Sequence, residues 1–145
     1  FGAIAGRNAA EAISGSPGPM QAAEVVSEIE PSARTMLDLA DVRNSLRSVM
    51  WRNVGIQRHG PRLNETAEII GFWGQYMMDK LFDDQLGWET QNMLTVARLI
   101  ALAARERKES RGVHFRADYP QIDPNLDGRH LVQQRIEGRL EMRCE

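Results

Sequence analysis

The sequence contains one cysteine, Cys144, next to its end. A single thiol makes no internal disulfide, and no Cys/His set carries zinc-ligand spacing, so stability must come from packing and the expected compartment is a reducing cytoplasm. Long hydrophobic runs are missing too. Nothing approaches the roughly 18 apolar residues that a membrane helix needs, and Ile100 to Ala104 is flanked by charges. The formal net charge is only -2, which makes no general case for nucleic acid or an anionic membrane. Neither a GxGxxG turn nor a P-loop occurs, so these residues bind no dinucleotide or nucleoside phosphate by themselves. An initial methionine and a signal segment are also lacking: Phe1 begins inside a helical pattern without an N-cap, which reads as a piece cut from a longer polypeptide.

What is present is a chain of 145 residues with ordinary apolar and charged fractions, enough for one core with appendages. Phe1, Ile4, Ala5, Ala9, Ala12 and Ile13 share one helical face, while Gly2, Gly6 and Ala10 leave another almost bare, as a helix resting on a neighbouring surface would have it. Ser14 to Pro19 stacks turn formers and reads as a linker. The expected division is residues 1–19 as helix and linker left from a preceding domain, 20–120 as a helical bundle with a reversing loop, and 121–145 as a tail.

Within the bundle, Val42, Leu46, Val49, Met50 and Asn53 lie on one side of a helix capped by Asp38 or Asp41 and ended by Gly55. Ile56 to Gly60 is a connection, and Pro61 suits the first position of the next helix. That helix has the clearest period in the chain, Leu63, Ala67, Ile70, Gly74, Met77 and Leu81, with Ile69, Trp73 and Tyr76 as an adjoining stripe. Gly71 and Gly74 imply a close neighbour there, since each weakens a helix by about 1 kcal/mol relative to Ala. Thr90 is a candidate cap for a third helix, apolar nearly all round from Met93 to Ala104 and therefore expected at the centre. The fold class is thus mainly α: an up-down-up three-helix bundle with an N-terminal extra helix and a C-terminal extended segment or β-hairpin. From His130 to Met142 a period of two argues for strands turned at Glu137-Gly138, although Val132, Ile136 and Leu140 also fit one helical face.

The stretch Arg107-Lys108-Glu109-Ser110-Arg111-Gly112-Val113-His114-Phe115-Arg116-Ala117-Asp118-Tyr119-Pro120 gathers more chemistry than a solvated loop needs. It is expected to break the third helix at Gly112. Arg105, Arg107, Lys108, Arg111 and Arg116 place five cations there in a slightly acidic chain. A helix C-terminus accounts for some of them. The rest either form an internal network, with Arg111, His114 and Asp118 holding a reversing loop against the helices, or dock another domain, for which Arg111, His114, Arg116 and Asp118 are the candidates.

Catalytic constellations fail one by one. Ser110 precedes His114 by four positions but has no acidic orienter. Glu106 and Glu109 have basic neighbours that keep both ionised. His59, His114 and His130 lack metalloprotease spacing. Asp123 to Gly128 matches the first half of a calcium loop, yet Gln134 stands where a bidentate Glu is required. The expectation is no catalytic, cofactor or metal residue in this chain. RNA or DNA ranks below protein as a partner, since exposed aromatics do not interleave the basic run.

The run Lys108 to Arg116 with Asp118-Tyr119-Pro120 resembles the C-terminal signature of the flavoproteins that include L-aspartate oxidase and the flavoprotein subunits of succinate dehydrogenase and fumarate reductase. Leu46 to Arg58 is similar to the first helix and turn of that family's C-terminal domain, Met93 to Ala104 to its third helix, and Phe1 to Ala12 to the helix closing its FAD-binding domain. Met50-Trp51-Arg52-Asn53-Val54-Gly55-Ile56 and the short tail look more like the L-aspartate oxidases. The resemblance implies a parent enzyme that uses FAD to oxidise L-aspartate to iminoaspartate on the way to NAD. It places the dinucleotide glycines and the substrate and catalytic residues upstream of Phe1. The implied partner is the FAD-binding domain of the same polypeptide, with an oligomer left open. A free-standing helical interaction module is the competing reading.

Overall fold

The computed structural model describes residues 1–15, 30 and 32–145; most of the expected linker, from Ser16 onward, lies outside the described residues. The described residues form four α-helices: α1 (Gly2–Ser14), α2 (Leu39–Val54), α3 (Gly60–Met77) and α4 (Gln85–Glu106). Two short parallel strands, β1 (Gln57–Arg58) and β2 (Phe115–Arg116), pair with each other, and β3 (Leu131–Ile136) and β4 (Arg139–Cys144) form an antiparallel hairpin. The chain is mainly α, as its periodicity predicts. α1 forms as expected, with none of its residues buried.

α2, α3 and α4 pack on one another, α3 most extensively on α4. One half of the core joins Val42 and Leu46 with Ile70, Met77, Leu94 and Ala97. The other joins Val54, Leu63, Ala67, Ala101 and Ala104. The seam on α3 is therefore the one its four-and-three spacing marks, except that Leu81 lies beyond the helix and is exposed. The close approach between α3 and α4 comes from the small side chains Ala97, Ala101 and Ala104. Gly71 and Gly74 do not supply it, because a Cβ at either would meet nothing within 4 Å.

Local chemistry fixes the ends. Asp38 caps α2, its carboxylate accepting from the Asp41 N–H at 3.0 Å. Asp84 caps α4, accepting from the Gly87 N–H at 2.7 Å, so this helix starts earlier than a Thr90 cap would allow. Thr90 is instead fully buried and donates back to the Leu86 carbonyl. Gly87 is required for contact: an added Cβ would lie 2.2 Å from Cγ of Phe82. α4 is also less central than its composition suggests, because Val96 and Ile100 remain half-exposed in a surface hollow beside α2. One polar bond crosses the core, from Asn53 Nδ2 to Thr66 Oγ1 at 3.0 Å, with Thr66 donating in turn to the Arg62 carbonyl. The hairpin turns at Glu137 (φ 47°) and Gly138 (φ 79°), the left-handed pair that a two-residue loop needs. Gln133 Nε2 ties it to the Leu99 carbonyl of α4.

Leu94 is fully enclosed, so Leu94→Ala is expected to lower unfolding free energy by about 2–5 kcal/mol. Gly74→Ala, facing open space within its helix, is expected to raise it by up to about 1 kcal/mol. Urea denaturation of the two variants checks both signs.

Candidate functional site

The reversing segment begins where α4 ends, at Glu106, six residues before Gly112. The helix stops early because its last carbonyls already have a partner. Nη1 of Arg116 donates to the carbonyls of Ala104 (2.9 Å), Arg105 (2.8 Å) and Arg107 (3.2 Å). These are unpaired groups that carry the negative end of the helix dipole, and a guanidinium satisfies them electrically as well as geometrically. The same guanidinium makes a two-pronged pair with Asp118, both bonds 2.8 Å. Asp118 then accepts from the Gly60 N–H at 3.0 Å, at the positive end of α3. Arg116 is 2% exposed, and its charge lies 5.0 Å from the centre of the Tyr119 ring. A Cβ on Gly60 would fall 2.7 Å from the Asp118 carboxylate, so only glycine admits this approach.

A second network centres on Glu109, which is 0% exposed. Its carboxylate accepts from Arg107 Nε (2.7 Å), from Arg111 Nε (3.2 Å to each oxygen) and from the Asp123 N–H (3.0 Å). Arg111 reaches on to Asp127 at 2.8 Å and to the Asp123 carbonyl, while Arg107 donates to the carbonyls of Leu126 and Arg129. One buried acid therefore folds the loop 121–129 onto the end of α4. Gly112, at φ 58°, makes the tight turn that lets Arg111 and His114 exchange backbone bonds.

His114 joins the segment to the connection between α2 and α3. Arg58 Nη1 lies 2.6 Å from its Nδ1, and its Nε2 lies 3.0 Å from the Arg107 carbonyl. A guanidinium only donates, so Nδ1 accepts and Nε2 carries the proton, which makes the ring neutral. Ser110 is outside any helix. Its hydroxyl donates to the Tyr119 carbonyl and accepts from the Arg116 N–H, leaving nothing for His114 to activate.

The four docking candidates thus share one segment but belong to separate circuits: Arg116 with Asp118, Arg111 with Glu109, and His114 with Arg58. Arg107 links them, through its carbonyl and its side chain. Arg116 has no free surface. The contacts are those of an internal network holding a reversing loop. Glu109 was overlooked by sequence reasoning as an anchor, although Arg107-Glu109-Arg111 alternates at spacing two, which puts all three on one face of an extended segment. Arg58 had no local signal, being brought to His114 only by the β1–β2 pairing.

The other candidates are spent similarly. Asp123 accepts from the backbone and side chain of Asn125 to start a single 3₁₀ turn over Pro124–Leu126, and Asp127 is paired with Arg111. Among the described residues no group of three or more His, Cys, Asp or Glu is placed to hold a metal. No helix among them is long and apolar enough to cross a membrane.

Burial pushes the Glu109 carboxyl up, but bonds from Arg111, the Asp123 N–H and Arg107 outweigh it and hold the pKa at about 2. The Arg116 pair keeps Asp118 well below the usual carboxylate range. His114 is pushed down by burial and by the charges of Arg58, Arg116 and Arg107, against the raising effect of its bond to the Arg107 carbonyl.

Comparison with known proteins completes the site. The family described as "Fumarate reductase flavoprotein C-term" matches residues 43–143. An uncharacterized FAD-dependent oxidoreductase of Methanocaldococcus jannaschii is 31% identical over 142 residues, covering 92% of this chain and 26% of that protein. The L-aspartate oxidase of Acinetobacter baylyi is 34% identical over 91 residues, covering 57% of this chain and 16% of its own length. Among solved structures, Mycobacterium smegmatis Sdh1 in complex with UQ1 superposes with a TM-score of 0.72 at 25% identity, over 97% of this chain and 26% of that one. The chain therefore spans about a quarter of such relatives or less.

Acid should destabilise this chain over two pH ranges. All three shifts are downward, so the unfolded chain binds protons first and stability falls with pH. His114 contributes a decline below its ordinary 6.5, and Glu109 a further loss that begins near 4.5 and is complete near 2. Thermal melts of the chain and of Glu109→Gln across this range check it: the variant should melt lower at pH 7 and show a shallower decline in the more acidic part, where Asp118 still contributes. Arg116→Leu leaves Asp118 without its ion-pair partner and the Ala104 and Arg105 carbonyls without a donor, and is expected to cost roughly 3–5 kcal/mol, read by urea denaturation.

Proposed function

Because the chain belongs to the family of fumarate reductase flavoprotein C-terminal domains, we propose that it is the helical C-terminal domain of an FAD-dependent L-aspartate oxidase, in which it packs on the FAD-binding domain and supplies no catalytic group. The observation that carries this reading is the family match from residue 43 to residue 143, which spans the bundle, the reversing segment and nearly all of the hairpin. The oxidase assignment draws on the L-aspartate oxidases among its relatives and on Met50 to Ile56.

The arrangement of groups supports a structural role. A dinucleotide needs a glycine-rich turn between a strand and a helix, with backbone N–H groups facing the phosphates. The described strands are a two-residue pair and a hairpin, neither of which makes such a turn, and no chemical step is assigned to these residues. Glu109, Arg116 and Asp118 are locked in ion pairs, and the Ser110 hydroxyl is bonded on both sides. Such groups hold geometry. The docking reading of Arg111 and His114 belongs to the same proposal, through the part of each that stays exposed.

A flavoprotein subunit of the succinate dehydrogenase type is the second reading, favoured by the superposition on Sdh1. The test compares this chain with a polypeptide extended upstream through a complete FAD domain. The expected result is no flavin fluorescence and no aspartate-dependent peroxide from the 145 residues, and both from the extended form. Succinate-dependent dye reduction without peroxide would select the second reading, and flavin bound by the short chain would overturn both.

A further inference from the structure

The arginines of the reversing segment, Arg105, Arg107, Arg111 and Arg116, are paired internally, but those at the α2–α3 corner are not. There Trp51, Arg52, Ile56, Arg58, His59 and Arg62 line a concave surface of about 590 Å³, completed by Gln57 and Ala117 and containing no acid. Arg52 and Arg62 make no ion pair or side-chain hydrogen bond among the described residues. Arg58 is half-buried and its burial pushes its pKa down. It bonds only neutral acceptors, the Val54 carbonyl at 3.0 Å and His114 Nδ1. Asp118, beside the lining residue Ala117, has its carboxylate committed to Arg116 and Gly60. A partly dehydrated guanidinium without an anion is unfavourable, and three cations facing one hollow raise the local affinity for negative charge. The rim is apolar: Trp51 is 84% and Ile56 83% exposed. Exposed tryptophan beside arginine is the composition of a protein–protein hot spot, and a guanidinium fork matches a carboxylate.

We propose that this corner seats a carboxylate-bearing segment with an apolar neighbour, contributed by the flavoprotein body of the same polypeptide. The carboxylate faces Arg58 between Arg52 and Arg62, and the apolar residue covers Trp51 and Ile56. The assignment rests on the domain-docking reading above and adds the face and the chemistry that docks.

The test is amide hydrogen exchange on the upstream-extended polypeptide and on this chain alone, with Arg52→Glu/Arg62→Glu and Arg52→Lys/Arg62→Lys variants of the extended form. Neither arginine has a side-chain partner among the described residues, so the variants of the short chain should melt like wild type, which separates docking from folding. The proposal expects residues 51–62 to exchange at least tenfold more slowly in the extended form, the charge-reversed variant to lose that protection, and the lysine variant to keep most of it. Protection of other faces with none at 51–62 overturns the proposal and leaves the docking reading standing. Protection at 51–62 that survives charge reversal overturns the carboxylate. No protection anywhere overturns both readings.

Discussion

The pair between Arg116 and Asp118 sits where two helix ends meet, and the rest of the domain is arranged around it. α3 and α4 run antiparallel, so the N–H groups that open one lie beside the carbonyls that close the other. Each end carries about half a charge of opposite sign. Arg116 answers the carbonyls of Ala104 and Arg105, Asp118 answers the Gly60 N–H, and the two side chains answer each other. Both charges of the pair are thereby compensated by fixed dipoles as well as by each other, which is the condition under which a buried ion pair is tolerated. The arrangement also aligns the helices along their axis, something the Leu, Ile and Ala contacts between them do only loosely.

Glu109 extends that order outward. A carboxylate with no exposed surface needs several donors, and those available are Arg107, Arg111 and the Asp123 N–H. Collecting them brings residues 121–129 back across the end of α4, and that loop delivers the chain to β3, which Gln133 fastens to α4. A two-stranded hairpin is marginal by itself in water, so its place depends on this chain of contacts. The functional consequence is a division of labour. The segment richest in chemistry spends its charge inside the domain, and the corner at Arg52, Arg58 and Arg62 keeps charge available for a neighbour.

Much of this was legible from residues. The four-and-three spacing of Leu63, Ala67, Ile70 and Met77 marked the α3 seam, Asp38 and Gly55 bounded α2, and Glu137-Gly138 set the hairpin turn. The misreadings share a cause. Gly71 and Gly74 suggested close packing that the alanines of α4 provide instead. Thr90 looked like a cap because its hydroxyl suits one, yet Asp84 caps the helix from further upstream. Gly112 looked like the end of α4 because a glycine ends many helices, whereas Arg116, ten residues beyond Glu106, ends it by capping its carbonyls. In each case a residue's own preference yielded to a contact made by another residue.

The sequence alone determined the helices, their apolar faces, the hairpin turn and the resemblance that points to a flavoprotein domain, because those follow from periodicity, capping and wording within a short window. Only the tertiary structure decided which charges are spent and which are free. Arg116 and Arg58 look alike as letters, but one lies against a carboxylate and three carbonyls and the other against a neutral histidine. That difference arises from a two-residue parallel pairing between segments more than fifty positions apart, a contact set by the packing of three helices and by no neighbour in the chain.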